Sequence, residues 1–419
     1  MQSVTVQPAD RFRVGKWGAL GILMVLAFLN YMDRNLIYPL LTLIADDLGV
    51  SVAELGALST GFHVVYACTA PLVGAISDRV VRKTVLLFSL VVWSVITALS
   101  GTATGFVSLL VWRSLTGAGE GGYFPTAVSL IGDLFEPNRR GLAIGLHGVC
   151  TTLGGSAGYA VGGLLGQHFG WRFPFMLALV PGLVLAVVLH RTFDEPPRGG
   201  ASADPHASVR TQRRSWGRIV IHTPVLLLSI AACLGAFAMV GMNTFFPMYL
   251  TRARGVSVAD AGMLTGAFFA VSIVGQLSGG ILSDRLSTRL RGARPLLVAL
   301  PYLAAAPAVF VVTHVPAVSL ALVCYGAAQL LRGFAEPNIY GTIIDSTPPS
   351  ERGSAQGFLL MMTFVGSSVS GYGLGALIKN RGFGAAFDAL AASAALAGAL
   401  AVVLFLHVRR DRAVSRIAP

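Results

Sequence analysis

The sequence predicts an all-α membrane protein: twelve transmembrane helices in two six-helix bundles related by an internal repeat. Three observations carry that expectation. Of 419 residues, 54% are hydrophobic and 12% charged, about half the charge of a soluble domain. Uncharged runs of the length a bilayer needs recur along the chain: Leu55–Ser77, Thr84–Trp112, Ile219–Thr251, Ala261–Ser283, Pro295–Leu331, Gly353–Ile378 and Ala389–Val408. The two halves also repeat short motifs in the same order. This composition excludes a disordered chain, a coiled coil and a small disulfide scaffold. It also argues against an ordinary soluble enzyme.

Taken in order, the spans fall near 17–42, 54–77, 84–102, 105–134, 140–166, 171–191, 220–250, 258–283, 294–313, 317–344, 353–378 and 384–407. The first follows Arg11, Arg13 and Lys16 and holds Asp33 and Arg34. No small-residue cleavage site follows it, so it reads as a retained helix, not a signal peptide. Gly101-Thr102-Ala103-Thr104-Gly105 separates spans three and four, and His314-Val315-Pro316 separates nine and ten. The runs are continuous, not alternating, which points to helices over barrel strands. The 49 glycines suit close helix contact in lipid. The polar stretch Asp194–Arg218, with Pro196, Pro197 and Gly199-Gly200, reads as a linker. The expected organisation is an N-terminus 1–16, a bundle 17–192, a linker 193–219, a bundle 220–408 and a tail 409–419.

The net charge of +12 sorts by side. With the N-terminus and alternate connections assigned to one face, 23 of the 31 Lys and Arg fall there and five on the other. Arg34, Arg113 and Arg332 remain inside spans. The positive-inside rule then places both termini and the linker in the cytoplasm, in a plasma (inner) membrane. A nucleic-acid partner would need a basic face on a soluble domain, and the sequence offers no such domain. Cys68, Cys150, Cys233 and Cys324 fall in spans without paired spacing, and read as inert core residues. No metal-ligand spacing occurs.

The halves match in four places. Gly56-Ala57-Leu58-Ser59 aligns with Gly262-Met263-Leu264-Thr265, and Ser77-Asp78-Arg79 with Ser283-Asp284-Arg285. Gly117-Ala118-Gly119-Glu120 aligns with Gly333-Phe334-Ala335-Glu336. Arg140-Gly141 with Gly145 aligns with Arg352-Gly353 with Gly357. Two duplicated bundles with a central site are the plan of a secondary transporter.

On these residues the chain resembles the major facilitator superfamily over essentially its whole length. Gly74-x-x-x-Asp78-Arg79-x-x-Arg82-Lys83 is similar to the family's signature between spans two and three, with Val81 where the family usually has Gly. Charge clusters at helix ends can latch one conformation. The resemblance implies such a latch from Gly74, Asp78, Arg79, Arg82 and Lys83, joined by Asp133 and partly copied at Asp284 and Arg285. Arg113-x-x-x-Gly117-x-Gly119 resembles the span-four motif of proton-coupled members. The antiporter motif of span five is changed: Tyr159 stands at its Pro position. Asn30-Tyr31-Met32-Asp33-Arg34, Glu120 and Phe246-Pro247-Met248-Tyr249-Leu250 resemble the anion/cation symporters. The first of these runs, Gly117–Glu120 and Glu195-Pro196-Pro197-Arg198-Gly199 also resemble the spinster-like proteins.

A charge at the centre of a membrane helix costs about 2.5–3.5 kcal/mol on insertion scales. Asp33 and Arg34 lie about 100° apart on span one, so one faces other helices and the other a wet cavity. Arg113 and Glu120 are two turns apart on one face of span four, and Arg332 and Glu336 one turn apart on span ten. The competing reading of each is a structural ion pair. The functional expectation gives proton coupling to Asp33, Glu120 and Arg113. It gives substrate contact to Arg34, Tyr31, Tyr38, His63, Tyr66, Tyr123, Asn243, Glu336 and Tyr340. The expected activity is proton-coupled carriage of small organic anions, carboxylates or sugar acids, with the proton as coupling ion and no other cofactor. The alternative is a spinster-like carrier of lysophospholipid or another amphiphile. Membrane lipid and the substrate are the expected partners of a monomer. No catalytic motif such as HExxH or G-x-S-x-G is present to suggest an enzyme.

Overall fold

The computed structural model describes residues 14–77, 79–198, 222–290, 292–348 and 351–414. Every regular element among them is helical. Asp78, most of the 193–219 linker, the first 13 residues, Arg291 and the last five residues lie outside the described set.

The first half runs α1 (Gly15–Asn35), a 3-10 turn at Tyr38–Leu40, α2 (Leu41–Leu48), α3 (Val52–Ser77), α4 (Arg82–Ser100), α5 (Phe106–Glu120), α6 (Tyr123–Leu134), α7 (Pro137–Phe169), α8 (Arg172–Leu177) and α9 (Leu179–Thr192). The second runs α10 (Thr223–Arg254), α11 (Val258–Ala270), α12 (Ser272–Ser287), α13 (Ala293–His314), α14 (Val318–Ser346) and α15 (Arg352–Val414). Nine helical segments among the described residues are long and apolar enough to cross a membrane. The fourth expected span is divided into α5 and α6, the fifth, α7, also falls outside those nine, and the eleventh and twelfth are merged in α15. The arrangement is consistent with twelve crossings.

Local chemistry explains the boundaries. Glu54 Oε2 accepts from both the amide and the hydroxyl of Ser51 at 2.7 Å, a reciprocal cap that starts α3. Ser257 caps α11 by accepting from the Asp260 amide at 3.0 Å. The turn expected between spans eleven and twelve is reduced to Gly382, whose φ of 81° bends an otherwise continuous helix. Span four breaks at Gly121-Gly122, and the glycines just before the break press against neighbours. A Cβ on Gly117 would stand 2.4 Å from the Phe62 carbonyl of α3, and one on Gly119 3.0 Å from the Trp93 amide of α4. Span one is likewise less regular than expected, since α1 ends at Asn35 before the Tyr38–Leu40 turn.

Within the first half α1 packs on α7, α3 on α5, and α4 on α5 and α9; within the second, α15 packs on α10 and α13, and α14 on α12 and α13. The halves meet along two helix pairs, α3 with α15 and α7 with α11. Both pairs close through glycine. A Cβ on Gly56 would lie 2.2 Å from the Gly371 carbonyl, and one on Gly262 2.4 Å from the Tyr159 carbonyl. These contacts occupy the ends of the helices remote from the linker. Asp46 also pairs there with Arg252, and the Thr42 and Thr251 hydroxyls bond at 2.7 Å. Toward the linker α3, α7 and α15 diverge, as does α12, which continues from α11. Gly74, Gly145, Gly148, Gly280, Gly353 and Gly357 have open space where a Cβ would point. The molecule is therefore closed on the face remote from the linker and open on the linker face, with a cleft between the halves.

The cysteines correct one expectation. None is fully buried and Cys68 is exposed, so they are not all core residues.

Candidate functional site

The cleft wall of the first half is built by α1, α3 and α5. Asn30, Asp33 and Arg34 sit on the last two turns of α1, and their helical offsets send them to different neighbours. Arg34 bends toward α5, where its Nε and Nη2 donate to Glu120 Oε2 at 2.9 and 2.7 Å. Its Nη2 also donates to Asn30 Oδ1 at 3.4 Å. The guanidinium lies 4.5 Å from the Tyr31 ring centre, 5.0 Å from Tyr66 and 5.1 Å from Phe62, an aromatic cage that attracts a cation. Of the two adjacent charges on α1, Asp33 is 2% exposed, whereas the Arg34 side chain keeps 13%. Arg34 is thus the one that meets the cleft.

Arg113 lies two turns before Glu120 on α5 and is buried with it. Its Nη2 donates to the Arg34 carbonyl at 3.3 Å, and its guanidinium lies 5.6 Å from the Phe62 ring. Asp33 Oδ1, Glu120 Oε1 and Arg113 Nε and Nη1 are buried without a hydrogen-bond partner. Buried polar atoms normally have partners, and leaving them without is costly. Four such atoms on three ionisable groups mark a place built to take a proton, water or ligand polar group.

The second half presents a different network. Arg332 on α14 donates to Gln329 Oε1 at 3.0 Å and to Glu336 Oε2 at 3.1 Å, one turn along. Gln276 on α12 donates to Glu336 at 3.3 Å and to Thr152 of the first half at 3.2 Å. Asn243 Oδ1 accepts from Gln329 and, at 3.1 Å, from Tyr325. Tyr159 of the first half donates to the Asn243 carbonyl at 2.9 Å. Asn243 and Glu336 therefore belong to one hydrogen-bonded chain that spans both halves.

The remaining expected residues separate into two groups. Tyr31, Tyr66 and Tyr340 stand at the cleft. Tyr66, 6% exposed, meets Phe364 of the other half with the rings tilted and their centres 4.7 Å apart, and Tyr340 is exposed. Tyr38, His63 and Tyr123 are buried in packing. Tyr38 stacks on Tyr159 at 5.9 Å, and His63 Nδ1 bonds the Ser59 carbonyl at 2.8 Å. Tyr123 donates to the Leu23 carbonyl at 3.0 Å and meets His147 Nε2 at 2.7 Å.

At the linker face Arg82 is the hub. It bonds Asp133 at 2.5 Å, Glu195 and Ser129 at 3.1 Å, and the Pro196 carbonyl at 3.1 Å. The Lys83 ammonium donates to the His190 carbonyl at 2.8 Å. Arg79 is exposed, and Gly74 faces open space. Asp78 lies outside the described residues. In the second half the clasp is not centred on Asp284 and Arg285. Arg294 donates to Asp345 at 2.6 Å and approaches Asp284 only to 4.0 Å, while Arg285 is exposed. Arg294 and Asp345 stand at one common offset from Arg82 and Asp133, the signal that would have found them. All of these clasp contacts lie within one half or between it and the start of the linker.

The Major Facilitator Superfamily model matches residues 23–331. The chain belongs to the major facilitator superfamily. It is 29% identical to the "Hexuronate transporter" of Bacillus subtilis over 276 residues, 65% of each chain. It is 30% identical to "Protein spinster homolog 1" of Xenopus laevis over 315 residues, 69% of this chain and 58% of that one. It is 28% identical to the "Probable sulfoacetate transporter SauU" of Cupriavidus necator, over 66% of each chain. The matches thus span about two thirds or less of those relatives. Among solved structures, a bacterial homolog of the human lysosomal transporter Spinster, inward-facing and unoccupied, superposes with TM-score 0.80 at 23% identity, over 96% of this chain and 98% of that one. This likeness shows the major facilitator fold.

Proposed function

We propose that the chain is a proton-coupled secondary carrier of small organic anions, carboxylates or sugar acids, working by alternating access. The observation that carries this reading is the Arg34–Glu120 pair at 2.7 Å at the cleft wall, with the second Glu120 oxygen unpartnered. With Glu120 ionised, its carboxylate occupies the guanidinium. Protonation of Glu120 weakens that hold and frees Arg34 to take a substrate carboxylate through parallel hydrogen bonds. Asp33 stands behind the pair as a second carboxyl that can hold the proton, and the Arg113 guanidinium favours its release. Proton and anion then favour the same conformations, and coupling follows from differential affinity between the two open states. The hexuronate and sulfoacetate names among the relatives support the anion class.

In this reading the protein is a monomer in the plasma (inner) membrane, with both termini and the linker face cytoplasmic. The conformation described is then open to the cytoplasm. The bundles 17–192 and 220–408 rock about the α3–α15 and α7–α11 contacts, and the Arg82 and Arg294 clasps hold each half's cytoplasmic end. The spinster relatives favour a second reading, an amphiphile such as a lysophospholipid. Thermal stabilisation of the purified protein by carboxylates and by lysophospholipids, at two pH values, separates the two. Stabilisation by carboxylates that strengthens at the lower pH is expected. Stabilisation by lysophospholipids alone overturns the anion reading.

A further inference from the structure

Arg332 and Glu336 line a cavity of about 160 Å³ within the second half, between α10, α13, α14 and α15. Its walls are small and apolar: Gly235, Ala236, Met239 and Val240 from α10, Ile339 from α14 and Leu359 from α15. Thr363 and Ser367 also line it, but their hydroxyls donate to the Leu359 and Thr363 carbonyls at 2.9 Å, so neither donor is free for a ligand. Tyr302 contributes one hydroxyl, which lies beside Gly235. The charged groups of the lining both come from α14: Arg332 and Glu336, with Tyr340 one turn beyond Glu336.

This division of polar and apolar walls constrains the body of the transported anion. A sugar acid carries a hydroxyl on nearly every carbon, and each would lose a hydrogen bond against walls of Ala, Met, Val, Ile and Leu. A long acyl chain would extend well beyond it, because pockets that enclose drug-sized ligands begin near 300 Å³. An apolar cavity of about 150 Å³ holds one benzene-sized group.

We propose that this cavity is a subsite for one compact apolar group, so that the transported anion is an aryl or branched-alkyl carboxylate. Its carboxylate stays at the cleft, among the guanidinium groups. Its ring or branched end enters between α10 and α14, with room for one polar atom against the Tyr302 hydroxyl. This proposal rests on the organic-anion reading and narrows it.

The test is binding to the purified full chain in detergent, with phenylacetate, glucuronate and propionate as probes. Wild type is expected to bind phenylacetate at least about tenfold more tightly than either of the others, the discrimination a filled apolar pocket gives. Ala236→Leu fills the cavity. It should weaken phenylacetate about tenfold while changing propionate less than twofold, and Val240→Phe should act in the same direction. The wild-type ranking stands even where a variant fails to fold. Glucuronate bound as tightly as phenylacetate, or phenylacetate affinity unchanged in both folded variants, overturns the subsite and leaves the anion reading intact. Binding of none of the three carboxylates overturns both.

Discussion

At the residue scale the decisive geometry is a choice between neighbours. Asp33 and Arg34 are adjacent, yet Arg34 reaches Glu120, 86 positions away, while Asp33 turns into the helix packing. The sequence marks all three as costly charges at membrane depth. Their pairing was not legible, because it depends on how α1 and α5 are rotated against each other. Tyr123 shows the opposite error, since a tyrosine in a span reads equally well as cavity or core. Here its hydroxyl donates to Leu23 and meets His147. Tyr123→Phe is expected to lower stability by about 1–3 kcal/mol, because it leaves buried partners unpaired. Transport should stay within twofold of wild type. Unfolding in micelles and uptake by liposomes measure the two effects. A large transport loss at unchanged stability would return Tyr123 to the cleft.

At the scale of elements, burial decides which ion pairs matter. The side chains of Arg82 and Asp133 are 4% and 18% exposed, while those of Arg252 and Asp46 are 42% and 60% exposed. Double-mutant cycles should give about 1.5–3 kcal/mol of coupling for the first pair. The second should give less than about 1 kcal/mol. Equal couplings would show that burial does not set the strength of the clasp. The resemblance to the family's signature made the first-half clasp legible, but its partial copy directed attention to Asp284 and Arg285 in the second. The shorter match, Asp-Arg after Ser, was easier to see than two isolated residues at a common offset, Arg294 and Asp345. Helix contact was legible only as an abundance of glycine. Which glycines touch depends on the conformation: Gly262 presses on Tyr159, while Gly280, on the next helix, faces open space. Gly262→Leu places a side chain where a Cβ would already stand 2.4 Å from the Tyr159 carbonyl. It should hold α7 and α11 apart and open the face remote from the linker. Spin-label distances across that face should lengthen, and transport should fall more than tenfold. Unchanged distances would show that the α7–α11 contact is not what closes this face.

At the scale of the whole molecule, composition and repeat announce the fold, because lipid permits few solutions. Long uncharged runs must be helices, and two sets of six that share motifs in order must be related bundles. The conformation was not legible, since in the proposed mechanism one sequence serves both open states. What shows it is the contrast between glycines in contact at one end of the central helices and open at the other. The central claim is that Asp33 and Glu120 couple proton movement to movement of an organic anion through the cleft. The most direct test is carboxylate accumulation in liposomes under an imposed pH gradient, with wild type, Asp33→Asn and Glu120→Gln compared. Wild type is expected to concentrate the anion. Each variant should lose at least about tenfold of that accumulation while still exchanging anion downhill. Full pH-driven accumulation by both variants would contradict the account.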